Sequence, residues 1–322
     1  MKKRHIALAL TGAAGAAVAV KFLTRPASAE WEAAAPSVPH SDRSKFVQVD
    51  GIRVHYQEFG NPAGPPVLLI HGYTASIFVW HAAAPLLGNE GFRVIAVDLV
   101  GFGYSEKPRS FDYSIDSHAR VIARLMDRLG IGRAHIVGSS YGGAVAMTLA
   151  LDHPERVDKI VLSDAVFNDE PKSHPVLRLA EVPVIGELIT PFLVDSKMFL
   201  RRRMRKTLSP ANHHLITTER VRSVQRPIAA ADGHHSVLAT SRNWRAKRIE
   251  RDAHLIEQPT LLIWGHEDRV IPLALGRALH RAIPGARLAV IRKCGHVPQE
   301  EKSEIFAGLV SEFCREARQA NA

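Results

Sequence analysis

Apolar and polar residues change rhythm along this chain in a regular way. Residues 45–60 (KFVQVDGIRVHYQEFG) alternate on either side of Asp50-Gly51, which predicts two strands joined by a tight turn. Further on, VLLI (67–70), RVIAVD (93–98), HIVGS (135–139), KIVLSDA (159–165), TLLIWG (260–265) and RLAVIRK (287–293) are short and almost wholly apolar. Strands buried on both faces of a parallel sheet need that pattern. Between them the period lengthens. Ile115, Ala119, Ile122, Leu125, Met126 and Leu129 fall on one face of a helix over 114–130, and AVAMTLALDH (144–153) reads as another. Strands alternating with helices predict an α/β fold with a mostly parallel sheet.

The rhythm breaks between about Asn168 and Ile249. That stretch has helical periodicity, prolines at 171, 175, 183, 191, 210 and 227, and no strand pattern. It divides the chain into a first core part at 46–168, a helical insertion at 169–249 and a second core part at 250–319. Residues 30–45 (EWEAAAPSVPHSDRSK) read as a linker, from their Pro, Ser and Ala content and mixed charge. Residues 1–29 begin MKKRH, continue with an apolar IALALTGAAGAAVAV and end in small residues at Ala27 and Ala29. This fits an export signal cut before Glu30. The alternative is an uncleaved membrane anchor, for which Lys21 and the Ala and Gly content are unfavourable. Either way the catalytic part is expected outside the cytoplasmic membrane.

Charge and composition narrow the function. The net charge is +10, but Lys2, Lys3, Arg4, Lys21 and Arg25 supply half of it within the first 29 residues. The remaining excess is small for a nucleic-acid partner, and none is expected. Only Cys294 and Cys314 are present, so no disulfide framework follows, and both read as buried side chains. The pairs His213-His214 and His234-His235 lack metal-ligand spacing, and no metal site is expected. No phosphate-cradling loop and no G-x-G-x-x-G after a strand appears, so no cofactor is expected. Two segments of the insertion stand out. The run 182–194 (VPVIGELITPFLV) reads first as core of a helical lid and second as acyl-pocket lining. The run 201–206 (RRRMRK) reads first as a solvated helix face and second as a surface for anionic lipid.

The chemistry concentrates in VGSSYGG (137–143). Gly138-Ser139-Ser140-Tyr141-Gly142 is a G-x-S-x-G elbow between a strand and a helix. Such a turn pushes its central residue above the sheet, where ligands collect. Ser140 is the centre, and Ser139 occupies the variable place. A serine needs a histidine base held by a carboxylate, in the chain order Ser, acid, His. HEDRVIP follows one later strand and CGHVPQEE the next, which nominates Asp268 and His296; Asp164, ending KIVLSD, is a rival acid. The amides of Tyr141, after the nucleophile, and Tyr73, in the HGYT loop after VLLI, are the expected oxyanion donors. His71 reads as structural, and Glu267 needs no role.

These features carry a resemblance. LLIHGY, VIAVDLVGFGYSEKP, HIVGSSYGGAVA, LLIWGHEDRVIP and KCGHVPQEEKSEIF, in this order from about Phe46 to Arg315, are similar to the α/β-hydrolase superfamily. The resemblance implies the α/β-hydrolase fold, with the insertion in the place of the cap domain and Asp98–Ser105 shaping the pocket. Relatives that open epoxides or remove halide carry aspartate at the elbow, and those resembling dienelactone hydrolases carry cysteine; here it is Ser140. Hydrolases that cleave carbon–carbon bonds of ring-fission products often have tryptophan after the histidine, where this chain has Val297. The first expectation is therefore a carboxylic-ester hydrolase, esterase- or lipase-like, acting on a small-molecule or lipid ester. Carbon–carbon bond hydrolysis and a non-catalytic ligand binder are the alternatives. Membrane association through the N-terminus or the basic insertion is a further expectation.

Overall fold

The computed structural model describes residues 26–173, 178–179 and 181–316. The first 25 residues of the expected export segment, and residues 317–319 of the second core part, lie outside the described residues. Eight strands form one sheet: β1 (Ser44–Val49), β2 (Ile52–Gly60), β3 (Pro66–Ile70), β4 (Arg93–Val97), β5 (Ala134–Ser139), β6 (Val157–Ser163), β7 (Thr260–Gly265) and β8 (Arg287–Ile291). Their spatial order is β1-β2-β4-β3-β5-β6-β7-β8. β1 pairs antiparallel with β2, and β2 with β4; all other pairs are parallel. At the first turn Asp50 and Gly51 have φ of 50° and 81°. Two positive values in a two-residue loop match the twist of a hairpin, and glycine takes the second without strain.

Alternation within each apolar strand fills two cores. Leu68, Ile70, Ile95, Val97, Ile136 and Leu162 face one side, against helices α2 (Ile115–Arg128) and α3 (Tyr141–Asp152). Val67, Leu69, Val94, Ala96, Val137 and Val161 face the other, with α1 (Ala83–Asn89) and the last helix. Helix α2 buries Ile115, Ala119, Ile122, Leu125 and Met126, the stripe its spacing predicts.

Between β6 and β7 the chain is helical, with α4 (Ile185–Asp195), α5 (Lys197–Thr207), α6 (Thr218–Gln225), α7 (Ala231–Asn243) and a short helix at Lys247–Asp252. α8 (Leu273–Ala282) and α9 (Ser303–Arg315) follow β7 and β8. Among the described residues no helix is long and apolar enough to cross a membrane.

Three expectations change. Residues 30–45 are no free linker. Trp31 packs its ring 4.9–5.4 Å from those of Phe46, His55 and Tyr104, and Gln57 Nε2 donates to the carbonyls of Pro39 and His40. One large aromatic and one buried amide outweigh the Pro/Ser/Ala composition around them. The run 182–194 is neither a sealed core nor mainly a lining, because Val182, Pro183, Val184, Ile185 and Leu188 are exposed. The run 201–206 is a solvated face only in part: Arg202, Arg205 and Lys206 are exposed, while Arg203 is partly buried and Met204 buried.

Candidate active site

The elbow shows why its glycines are needed. Ser140 has φ 53° and ψ −117°, a strained combination for any residue with a side chain. A Cβ on Gly138 would lie 2.3 Å from the Gly142 carbonyl oxygen, and one on Gly142 would lie 2.2 Å from that of Ile70. The turn therefore closes only with hydrogen at both places. It is held by the Ser140 N–H donating to Ser163 O at 2.9 Å and by Gly143 and Val166 donating to Ser140 O, each at 3.0 Å. Ser139 is spent differently. It is buried, and its Oγ accepts from Gln299 Nε2 at 3.1 Å. Ser140 alone of the two projects toward the rim.

Asp268 and His296 meet there. His296 Nδ1 donates to Asp268 Oδ2 at 2.8 Å, with both residues buried. Asp268 Oδ1 accepts from the amides of Val270 (2.7 Å) and Ile271 (3.0 Å), which aims the other oxygen at the imidazole. The histidine is thereby held with its proton on Nδ1 and with Nε2 able to accept one. Among the described residues Ser140 Oγ is not hydrogen-bonded to His296; such contacts commonly tighten when substrate binds.

The rival acid is part of the same cluster. Asp164 directly follows β6 with φ 45°, is fully buried, and accepts from the Gly265 amide at 3.0 Å. Burial, then the neighbouring Asp268 charge, hold its pKa well above the carboxylate range. Asp164 is thus the protonated member of the pair. Asp164, Asp268 and His296 offer ligand atoms within 4.8 Å of one another.

The two expected oxyanion donors sit beside the serine. Tyr141 is the first residue of α3, so its N–H lies at the open end of the helix. Gly72 brings the β3 loop against the nucleophile, since a Cβ there would be 2.9 Å from Ser140 Cβ; the Tyr73 amide comes next. His71 braces this loop. Its Nδ1 donates to Gly72 O at 2.8 Å, its Nε2 accepts from the Leu99 amide at 3.0 Å, and burial lowers its pKa. Asp98 braces the next loop, accepting from His55 Nδ1 and from the amides of Ile77 and Tyr104.

The insertion is tied to this rim by residues that motif reading passed over. Glu301 accepts from the amides of Gly295 (2.9 Å) and Ser209 (2.8 Å) and from Asn212 Nδ2 (2.7 Å). The His296 amide donates to Thr207 O at 2.8 Å. Glu267 does have a partner, accepting from Ser209 Oγ at 2.7 Å. Tyr73 Oη donates to Val237 O of α7, and Trp244 stacks its edge against both Tyr73 and Tyr141. Arg203 reaches down from α5 and donates to Thr74 Oγ1 at 3.1 Å, next to the Tyr73 amide. Among the described residues no carboxylate pairs with it, and burial lowers its pKa. The signal for Arg203 was its spacing: it lies three residues from Leu200 and one from Met204, both buried.

Comparison with known proteins agrees with the fold. The alpha/beta hydrolase fold family matches residues 65–186 and 203–303. A 2-hydroxy-6-oxononadienedioate/2-hydroxy-6-oxononatrienedioate hydrolase of Burkholderia vietnamiensis is 32% identical over 285 residues, which is 85% of this chain and 96% of that protein. A meta-cleavage product hydrolase from Pseudomonas fluorescens IP01 superimposes with a TM-score of 0.71 at 31% identity, covering 85% of this chain and 98% of that one. A membrane phospholipase A described as a bacterial virulence factor gives 0.67 at 27% identity, covering 99% of this chain and 100% of the other.

Proposed function

The chain belongs to the alpha/beta hydrolase fold family, and from that premise we propose that it is a serine hydrolase cleaving the bond beside a carbonyl carbon through an acyl-enzyme on Ser140. The observation that carries this is the His296–Asp268 bond of 2.8 Å on the rim where the strained Ser140 projects. Ser140 Oγ attacks the carbonyl while His296 Nε2 takes its proton. The amides of Tyr141 and Tyr73 hold the oxyanion; losing one such donor costs about 3–4 kcal/mol of transition-state stabilisation. His296 then delivers the proton to the leaving group. A water, deprotonated by His296, releases the acyl group and restores the serine.

The leaving atom is the finer question. Ester oxygen is the first expectation from sequence, yet the Burkholderia and Pseudomonas relatives, both above 30% identity, favour carbon, as in the ring-fission products. Arg203 supports that reading, because a dioate-type substrate brings a carboxylate that this unpaired guanidinium would hold. We therefore place carbon–carbon hydrolysis first. Ester hydrolysis is the second reading, favoured by Val297 and by the likeness to a phospholipase over nearly the whole chain.

The test follows decay of the 2-hydroxy-6-oxononadienedioate chromophore and, in parallel, p-nitrophenol release from esters of increasing chain length, with Ser140→Ala beside wild type. Turnover of the dioate lost in Ser140→Ala supports the first reading; turnover of esters alone moves the second forward. In the first case Arg203→Gln should raise KM for the dioate by about tenfold or more, with a smaller change in kcat, as expected for loss of a charge-assisted hydrogen bond.

A further inference from the structure

Exposed large apolar side chains recur along α4 with its leading loop and at the start of α5. Val182, Val184 and Ile185 are 43%, 68% and 40% exposed, Leu188 one turn later is 52%, and Met198 at the start of α5 is 81%. Such residues are ordinarily scattered singly over a surface. Val184 is also held at φ 68°, a conformation that β-branched residues avoid. The loop that opens α4 therefore presents a strained, apolar edge to solvent.

Helix α5, which follows α4 after Ser196, adds charge. Its inner side carries Leu200, Arg203 and Met204, and its outer side Lys197, Met198, Arg202, Arg205 and Lys206, all exposed. Lys197, Met198, Arg201, Arg202 and Arg205 line one open groove. Among the described residues no carboxylate pairs with the outer cations. The path of the chain points the same way. The carbonyls of Pro26 and Ala27 accept from the amides of Ala231 and Asp232 at the start of α7, where His234 also bonds Asp195 at the end of α4. Pro26 and Ala27 thus lie beside the start of α7, close to the end of α4.

We propose that α4 with its leading loop, through Val182, Val184, Ile185 and Leu188, and the start of α5, through Met198 and the outer cations, dock together on an anionic lipid bilayer. The apolar side chains enter the interface between headgroups and acyl chains, while Lys197, Arg202, Arg205 and Lys206 stay among the phosphates. The pairing of an apolar edge with unpaired cations selects lipid that is both interfacial and negatively charged. The assignment does not depend on which bond Ser140 cleaves.

Full-length protein is sedimented with vesicles of phosphatidylglycerol and phosphatidylcholine, and with phosphatidylcholine alone. Wild type should bind the anionic vesicles preferentially. Arg202→Glu/Arg205→Glu should weaken that binding by about tenfold or more and erase the preference, and Val184→Asp/Leu188→Asp should weaken it on both vesicle types. All four side chains are exposed, so circular dichroism and turnover of a water-soluble substrate should stay at wild-type level. Variants that sediment like wild type would assign binding to residues 1–25 and overturn the proposal, as would a wild type that ignores vesicles of both compositions.

Discussion

Ser140 is reactive in this scheme because its φ of 53° lifts the side chain clear of the sheet, while Ser139, one residue earlier, points into the core and is bonded to Gln299. Ser140→Ala should therefore lower turnover by about 10⁴-fold or more. Ser139→Ala should leave kcat within about tenfold and register mainly as lost stability of about 1 kcal/mol, measured by denaturant unfolding. Asp164 gives a pH test. Its folded pKa is raised, so between roughly pH 4 and that value the native state holds a proton that the unfolded chain has released. Stability from this group is then full below about pH 4 and declines as pH rises, by about 1.4 kcal/mol per pH unit. Asp164→Asn lacks that proton. Urea midpoints measured from pH 4.5 to 6.5 should fall more steeply for wild type than for the variant, and equal slopes would refute the protonated pair.

At the level of elements, the strands and the elbow were legible because their physics is local. VLLI and TLLIWG are apolar on both faces, and G-x-S-x-G marks a turn that closes only without a Cβ at its outer places. Gly138→Ala should lower stability by about 1–3 kcal/mol, since its methyl meets the Gly142 carbonyl, and should reduce activity with it; thermal melting and turnover measured together check both. The insertion was legible in kind but not in facing. Apolar residues 182–185 and 188 look inward by composition, yet they face solvent, and only tertiary packing decides that. The same holds for Arg203, whose inward aim depends on how α5 sits over the Thr74 loop. Residues 30–45 were misjudged because one ring, Trp31, outweighs many small residues.

Across the whole molecule, the His296 loop and the insertion are clamped together. Glu301, Thr207 and Ser209 join Gly295 and His296 to the α5–α6 segment, so a change in the insertion is felt at the base. This clamp was invisible in sequence, where Glu301 is one of two adjacent acids with no motif to separate them. Glu301→Ala leaves the buried amides of Gly295 and Ser209 and the Asn212 side chain without their acceptor. It should lower Tm by about 5 °C or more and reduce kcat more than it raises KM, as read by calorimetry and steady-state kinetics. The central claim is that Ser140 is the nucleophile. Its most direct test is to label full-length protein with a fluorophosphonate and locate the adduct by tandem mass spectrometry of the peptide spanning residues 134–156. The adduct should sit on Ser140, with His296→Ala labelling far more slowly; an adduct on Ser139 or on a residue outside the elbow, or no adduct at all, would contradict the account.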